Sequence, residues 1–309
     1  MDKVDLMGLT NAMVDITVEV EESDLITLGM KKGFYNSSKN INLSEFKKII
    51  DGKDKSYCAG GSPANTIINA SILGLSTSLI GTVGDDDLGN FFLEELKRYN
   101  INSLVKQVSG KNGISYIFIT SDGERTTTGN MGSTREFNNY LDPARIFHTA
   151  LYETVSHGEK AVQMIDYMKN NGSLISIDLA DPEMVTRSKD LTHIIEQSDI
   201  IFMTEEEEEA VKNYDSPDLV SKICKENKTL ILKMGKKGSI VMREKEEHYI
   251  PVYPTQVVST CGAGDAYASG FLFGTLRGLS LRECGHMGSY IASRVCSSKS
   301  SHLSLNHMT

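Results

Sequence analysis

Thr260-Cys261-Gly262-Ala263-Gly264-Asp265 runs straight into the small, apolar stretch Ala266-Tyr267-Ala268-Ser269-Gly270-Phe271-Leu272. Two glycines around one alanine let the backbone turn sharply just before a helix. The first unpaired N–H groups of that helix then converge on one point. Such an array, helped by the helix dipole, binds negative charge. The carboxylate of Asp265, just inside the same helix start, would repel an anion. It is instead suited to take a proton from a hydroxyl while a phosphoryl group arrives. Read alone, the stretch fits equally well a glycine-rich turn whose Asp merely favours the helix dipole, so the rest of the chain has to decide.

Gly60-Gly61-Ser62-Pro63-Ala64-Asn65 also sets glycines before a helix start. Two adjacent glycines let the backbone approach a polyol, and the amide of Asn65 both donates to and accepts from hydroxyls. Asn11 and Asp15 bracket the end of the first strand, where an Asp can grip two neighbouring hydroxyls. Gly235-Lys236-Lys237-Gly238-Ser239 has the wrong spacing for a Walker loop and leads into a strand rather than a helix, which leaves a turn beside a nucleotide pocket as the open reading. Gly81 to Gly89 reads as a loop and helix start. The run Glu205–Glu209 favours a helix N-terminus by charge, with most of its members solvated.

These groups need a scaffold, and the pattern supplies one. Strands are expected over 4–10, 14–20, 77–83, 174–177, 200–203, 229–233 and 239–242, from period-two alternation or short apolar runs. Helices are expected over 88–99, 159–170, 205–213 and 218–226, and over a stretch with Ser62 as N-cap and Pro63 as first helical residue, running to Leu73 and stopped by Gly74. Alternation of strand and helix implies an α/β fold, a mainly parallel sheet covered on both faces. A hairpin over 113–130, turning at Asp122-Gly123, breaks the rhythm. With strand 14–20 it is assigned to a small separate β sheet, a lid drawn from roughly 12–38 and 113–130 of a single domain spanning 1–309. Ligands of open α/β sheets bind beyond the carboxyl ends of the strands, where the Gly262–Asp265 turn would sit.

The whole chain narrows the classes. Its 309 residues, 39% hydrophobic and 24% charged, suit one large globular domain. A net charge of −9 without a basic stripe argues against nucleic acid as a partner. No apolar run approaches the roughly 20 residues that span a bilayer. The opening residues Met1–Asp5 lack the basic and apolar regions of a signal peptide, and the expectation is a cytoplasmic protein. Five scattered cysteines (Cys58, Cys224, Cys261, Cys284, Cys296) read as reduced thiols; Cys261 has no nearby His to make it a nucleophile.

Taken together, the Gly60–Asn65 and Thr260–Asp265 motifs resemble, in order and separation, the two hallmarks of the ribokinase/PfkB-like carbohydrate and nucleoside kinases. Asn11–Ile16, Leu28–Gly33 and Asp122–Arg125 resemble the adenosine-kinase branch most. The resemblance covers nearly the whole chain. It implies a ribokinase-like three-layer sandwich, a nine- or ten-stranded, mainly parallel sheet with a small β lid, and ATP- and magnesium-dependent phosphorylation of a primary hydroxyl. Carried over by position, Asp265 matches the base, and the backbone of Gly262, Ala263 and Gly264 the anion hole. Asn11, Asp15, Gly60, Gly61 and Asn65 match the acceptor-binding set. Arg125 matches an arginine reaching from the lid toward the phosphates, Glu207 the acidic residue that orders Mg2+ through water, and Gly235 and Gly238 the nucleotide loop. Two positions depart from the pattern. Thr204 stands where the magnesium motif usually has Asn, and Ser259 where an Asp usually helps bind K+, which puts potassium activation in question. The expected acceptor is a nucleoside, adenosine first. The alternatives are a sugar such as ribose or fructose, or a non-catalytic protein that only binds nucleotide or nucleoside. A monomer or a homodimer fits equally.

Overall fold

The short apolar strand β1 (Leu6–Leu9) is buried at every position and lies inside the main sheet. The computed structural model describes residues 3–38, 41–214 and 227–304. Along the chain follow β2 (Val14–Glu19), β3 (Tyr35–Ser37), β4 (Lys55–Ala59), β5 (Thr77–Gly84), β6 (Asn102–Val108), β7 (Ile114–Ile119), β8 (Arg125–Asn130), β9 (Ile146–Ala150), β10 (Leu174–Asp178), β11 (Ile200–Thr204), β12 (Thr229–Lys233), β13 (Ser239–Arg243) and β14 (Glu246–Ile250). The main sheet has nine strands in the order β14-β13-β12-β11-β10-β9-β1-β5-β6. All its pairings are parallel except those of β13 with β12 and β14.

Helices cover both faces and make three layers. On one face lie Ser62–Ile72, Asp87–Arg98, Ala263–Leu276 and Leu281–Cys296, sharing a core with Leu6, Phe202 and Phe271. On the other, Leu151–His157, Glu159–Asn170, Pro182–Arg187 and Leu191–Gln197 pack around Met7, Phe147 and Ile177. The Ala263–Leu276 helix is apolar on nearly every side because it is enclosed. Its Gly270 lies so near the Leu281–Cys296 helix that a Cβ there would come within 2.7 Å of the Met287 carbonyl.

A second sheet of five strands, β3-β8-β7-β2-β4, stands apart. The hairpin forms as its sequence requires, β7 antiparallel to β8. The expected bounds of this sheet were too narrow: β4 pairs with β2 and lies outside both 12–38 and 113–130. β4 reads Lys-Ser-Tyr-Cys-Ala, with only Ala59 buried, and shows no apolar alternation. Strands β3, β6, β9 and β14 also went unread. Helix 159–170 falls on the residues expected, whereas the helix expected over 218–226 lies outside the described residues.

Candidate active site

Asp265 is the third residue of the Ala263–Leu276 helix. Gly262 caps the helix at φ +72°, where side chains are strained, and a Cβ there would lie 2.6 Å from that of Ser301. Ser259 accepts from the Cys261 N–H at 3.1 Å, which tightens the turn. At this helix start the Ala263 N–H is taken by the Thr260 carbonyl at 3.3 Å and the Ala266 N–H by the Gly262 carbonyl at 2.8 Å, while the N–H groups of Gly264 and Asp265 have no earlier helical turn to bond to.

Both oxygens of Asp265 are held. Ser62 Oγ donates to Oδ1 at 2.7 Å, and Asn65 Nδ2 donates to Oδ2 at 2.9 Å. This corrects the reading of the helix start. Its N-cap is Gly61, at φ +98°, and Pro63 is the second helical residue. The Ser62 hydroxyl does not cap its own helix because a carboxylate across the cleft offers a stronger, charge-assisted bond. Burial raises the Asp265 pKa to about 6, against the lowering effect of Ser62, Asn65 and the Lys233 charge; Asp178 adds to the rise.

Asn65, buried, is oriented from behind by the C-terminal segment. Its Oδ1 takes His302 Nε2 at 2.8 Å and Ser301 Oγ at 3.3 Å. An amide oxygen only accepts, so Nε2 of His302 carries the proton. Burial pushes the His302 pKa down to about 4, so the ring is neutral. Asn69 fixes the segment by donating to the Ser301 carbonyl at 3.1 Å and accepting from Leu303 N at 2.8 Å.

The acceptor-binding candidates meet at the junction of the two sheets. Register places Asp15, Cys58 and Ser115 side by side, and the period of two puts Arg125 on the same face of the small sheet. Asp15 lies on β2 in that sheet rather than at the end of β1. Gly60 is glycine because the Asp15 carboxylate occupies the space of its Cβ. A Cβ on Gly61 would lie 2.6 Å from the Asn11 carbonyl. Burial raises the Asp15 pKa to about 7; Arg125 lowers it and Asp265 raises it. Asn11 gives its N–H to Glu153 Oε1 at 3.0 Å and Nδ2 to Ser156 Oγ at 3.4 Å. Among the described residues three buried atoms here have no partner: Asn11 Oδ1, Arg125 Nε and Glu153 Oε2. Burial pushes the Cys261 thiol up to about 11, which keeps it protonated and unreactive despite the nearby Arg125.

Asp178, Thr204 and Lys233 end three neighbouring strands, β10, β11 and β12, on the side facing Gly264. Lys233 Nζ pairs with Asp178 Oδ2 at 2.7 Å. Glu207, the buried member of its acidic run, accepts from the Thr204 N–H at 2.9 Å and donates its own N–H to Thr204 Oγ1 at 3.2 Å, a reciprocal cap. Burial raises the Glu207 pKa, as does Asp178, while Lys233 lowers it. Thr204 in place of Asn is thus a helix cap. Gly235 and Gly238, both at positive φ, form the turn from β12 to β13 just after Lys233.

Lys233, Asp178, Glu153, Ser301 and His302 were not singled out from sequence. A lysine closing an apolar strand, Thr229-Leu-Ile-Leu-Lys233, was the one readable signal among them.

A sequence profile of the pfkB family carbohydrate kinases matches residues 35–308. The chain belongs to the PfkB family. It is similar to 5-dehydro-2-deoxygluconokinase 2 of Bacillus cereus, 30% identical over 289 residues, 84% of this chain and 87% of that protein. Among solved structures it is similar to a probable sugar kinase from Rhizobium etli (TM-score 0.88, 25% identity, covering 100% and 96% of the two chains). It is also similar to adenosine kinase from Sinorhizobium meliloti (TM-score 0.86, 27% identity, 98% and 97%). This PfkB kinase is therefore an ATP-dependent phosphotransferase with a hydroxyl acceptor, a sugar or a nucleoside, on a ribokinase-like fold. Among the described residues no helix is long and apolar enough to cross a membrane, and no three His, Cys, Asp or Glu side chains gather as a metal cage. Magnesium bound with a nucleotide needs no such cage, since it keeps several waters and takes one or two carboxylates beside the phosphates. The hard oxygen donor Glu207 suits that role.

Proposed function

We propose that this PfkB kinase transfers the γ-phosphoryl group of ATP to a primary hydroxyl of a nucleoside, adenosine first, with Asp265 as base. The carrying observation is the carboxylate of Asp265, held on both oxygens in the first turn of a helix opened by Gly262, bonded to Asn65 and close enough for Asp15 to feel its charge. The acceptor oxygen bonds to the γ-phosphorus and its proton passes to Asp265. The bond from that phosphorus to the bridging oxygen breaks, and the electron pair leaves with ADP. The backbone of Gly262, Ala263 and Gly264 receives the charge on the transferring group. Magnesium, held through water by Glu207, would neutralise part of the phosphate charge. Arg125, on the small sheet, would swing with it as a lid that excludes water from the reaction.

The nucleoside reading is supported by the adenosine kinase neighbour and by two half-buried thioethers beside Asn11. Met131 Sδ accepts from Ser156 Oγ at 3.6 Å, and Met13 Cε lies 3.5 Å from where a Cβ on Gly129 would be. Such groups pack well on flat aromatic rings. A second reading, a sugar or sugar-acid acceptor, is favoured by the 30% identical relatives named as 5-dehydro-2-deoxygluconokinases. In that case the unpartnered guanidinium of Arg125 would meet an acceptor carboxylate.

The test is ATP consumption by the purified protein across a panel of nucleosides, sugars and sugar acids. Fastest turnover with adenosine, and much poorer turnover with its 2′-deoxy analogue, supports the first reading. Faster turnover with a sugar or sugar acid replaces it with the second. Tight nucleoside or ATP binding without turnover on any acceptor leaves a binding protein that has kept the fold.

A further inference from the structure

We infer that Lys233 is a catalytic cation that meets the transferring phosphate of ATP, a role that rests on the kinase reading above. Its strand carries it to the right place. β12 runs parallel beside β11 and ends at Lys233, so its side chain emerges at the carboxyl edge of the sheet, where ligands of such sheets bind. There Nζ lies 3.3 Å from where a Cβ on Gly264 would be, which sets the ammonium against the second glycine of the anion loop. A side chain at residue 264 would crowd the ammonium, which would have to give by a few tenths of an ångström.

The charge balance gives the lysine its work. Asp178, Glu207 and Asp265 are near enough for the Lys233 charge to be felt by each of them. A triphosphate landing among carboxylates on a protein of net charge −9 meets repulsion unless a fixed cation is already there. Asp178 takes one N–H of Lys233, and among the described residues no other hydrogen-bond partner takes the remaining two. The side chain of Lys233 keeps 15% of its surface exposed, whereas that of Asp178 keeps 5%. Of the two partners the lysine is therefore the less enclosed. In this arrangement Asp178 aims the lysine, and the two free N–H groups point their charge at phosphate oxygens. Lys233 keeps its proton throughout, because the proton released by the acceptor goes to Asp265.

The test is a titration of the purified full-length protein with ATP and with AMP, alongside kinetics, for wild type, Lys233→Met and Lys233→Arg. Lys233→Met should weaken ATP binding by about tenfold and leave AMP nearly unchanged. Loss of one pre-placed electrostatic donor should lower kcat by about 10²–10³-fold with acceptor KM nearly constant. Lys233→Arg should recover much of the ATP affinity. Because removing one partner of a buried pair can unfold a protein, the double variant Asp178→Asn/Lys233→Met is measured too, and the same loss is expected of it. A folded Lys233→Met or double variant with wild-type ATP affinity and turnover overturns the inference and leaves a structural ion pair. A wild type that binds no ATP overturns the kinase reading, and this inference with it.

Discussion

At the end of the cleft proposed to receive the phosphoryl group the charged groups are already matched: Lys233 with Asp178, Asp265 with Ser62 and Asn65, Glu207 with Thr204. At the acceptor end they are not. Asn11 Oδ1, Arg125 Nε and Glu153 Oε2 are buried without partners among the described residues, and burial raises the Asp15 pKa to about 7. The difference follows from what each end must do. Transition-state charge is best met by dipoles that need no rearrangement, so the phosphoryl end is built in advance. Selectivity for hydroxyls comes from polar atoms that remain unsatisfied until the right ligand arrives, since a wrong ligand leaves their desolvation uncompensated.

The sharpest way to break the matched end is Asp265→Asn. The amide keeps the shape but cannot take the acceptor's proton. Turnover should fall by about 10²–10⁴-fold, the usual worth of a general base, while ATP titration shows binding intact. Near wild-type turnover would remove Asp265 from the chemistry.

At the unmatched end, Arg125→Ala should lower kcat by about 10–10²-fold, less than loss of a full oxyanion donor if, as proposed, the guanidinium moves with the small sheet. Steady-state kinetics decide what Arg125 does. A raised acceptor KM at unchanged kcat would make it a simple binding group, as the sugar-acid reading requires.

The matched end was only half legible in the sequence. Gly262–Asp265 and Gly60–Asn65 could be read because each site segment is contiguous and its glycines mark backbone that must bend. Lys233, Asp178 and His302 could not. They reach Asp265 and Asn65 from residues 32 to 237 positions away, and each looks ordinary where it stands. Ser62 was misread because local helix rules were applied to a hydroxyl whose better partner is 203 residues distant. The core strands β10, β11 and β12 were read from their apolar runs, whereas β4, with only Ala59 buried, gave no pattern to read. Sequence shows what neighbouring residues do for each other; the electrostatic frame of this site is assembled by topology.

His302→Ala tests that frame at one remove. Without the imidazole, Asn65 is free to turn, and its bond to Asp265 weakens. That bond lowers the Asp265 pKa, so its loss moves the pKa up from about 6. Wild-type kcat should climb with pH through about 6 as the base ionises, and the variant's acid limb should lie at higher pH. A kcat loss of a few fold near neutrality should shrink toward pH 8. His302→Gln, whose amide can also donate to Asn65, should restore part of the wild-type profile. A uniform loss at every pH, unrelieved by Gln, would mean that His302 only fills space.

The smallest effect concerns Glu153, the residue behind Asn11. Burial raises its pKa from 4.5 to about 8, with the Asn11 N–H and other backbone groups opposing and Asp265 adding to the rise. A carboxyl with a raised folded-state pKa favours the fold while protonated. That contribution is complete below pH 4.5 and is lost as pH climbs through about 8. Glu153→Gln keeps an oxygen for the Asn11 N–H and cannot ionise. Its melting temperature should match wild type in acid and exceed it above pH 8, with turnover little changed at neutral pH. The same logic ties the two ends of the cleft together. Asp265→Asn removes a charge that helps hold Glu153 neutral, so in that background the advantage of Gln should be smaller and should level off at lower pH. An advantage that is flat with pH would show that the Glu153 carboxyl is already ionised in the folded protein, and that the acceptor end carries one more negative charge than its unpaired atoms imply.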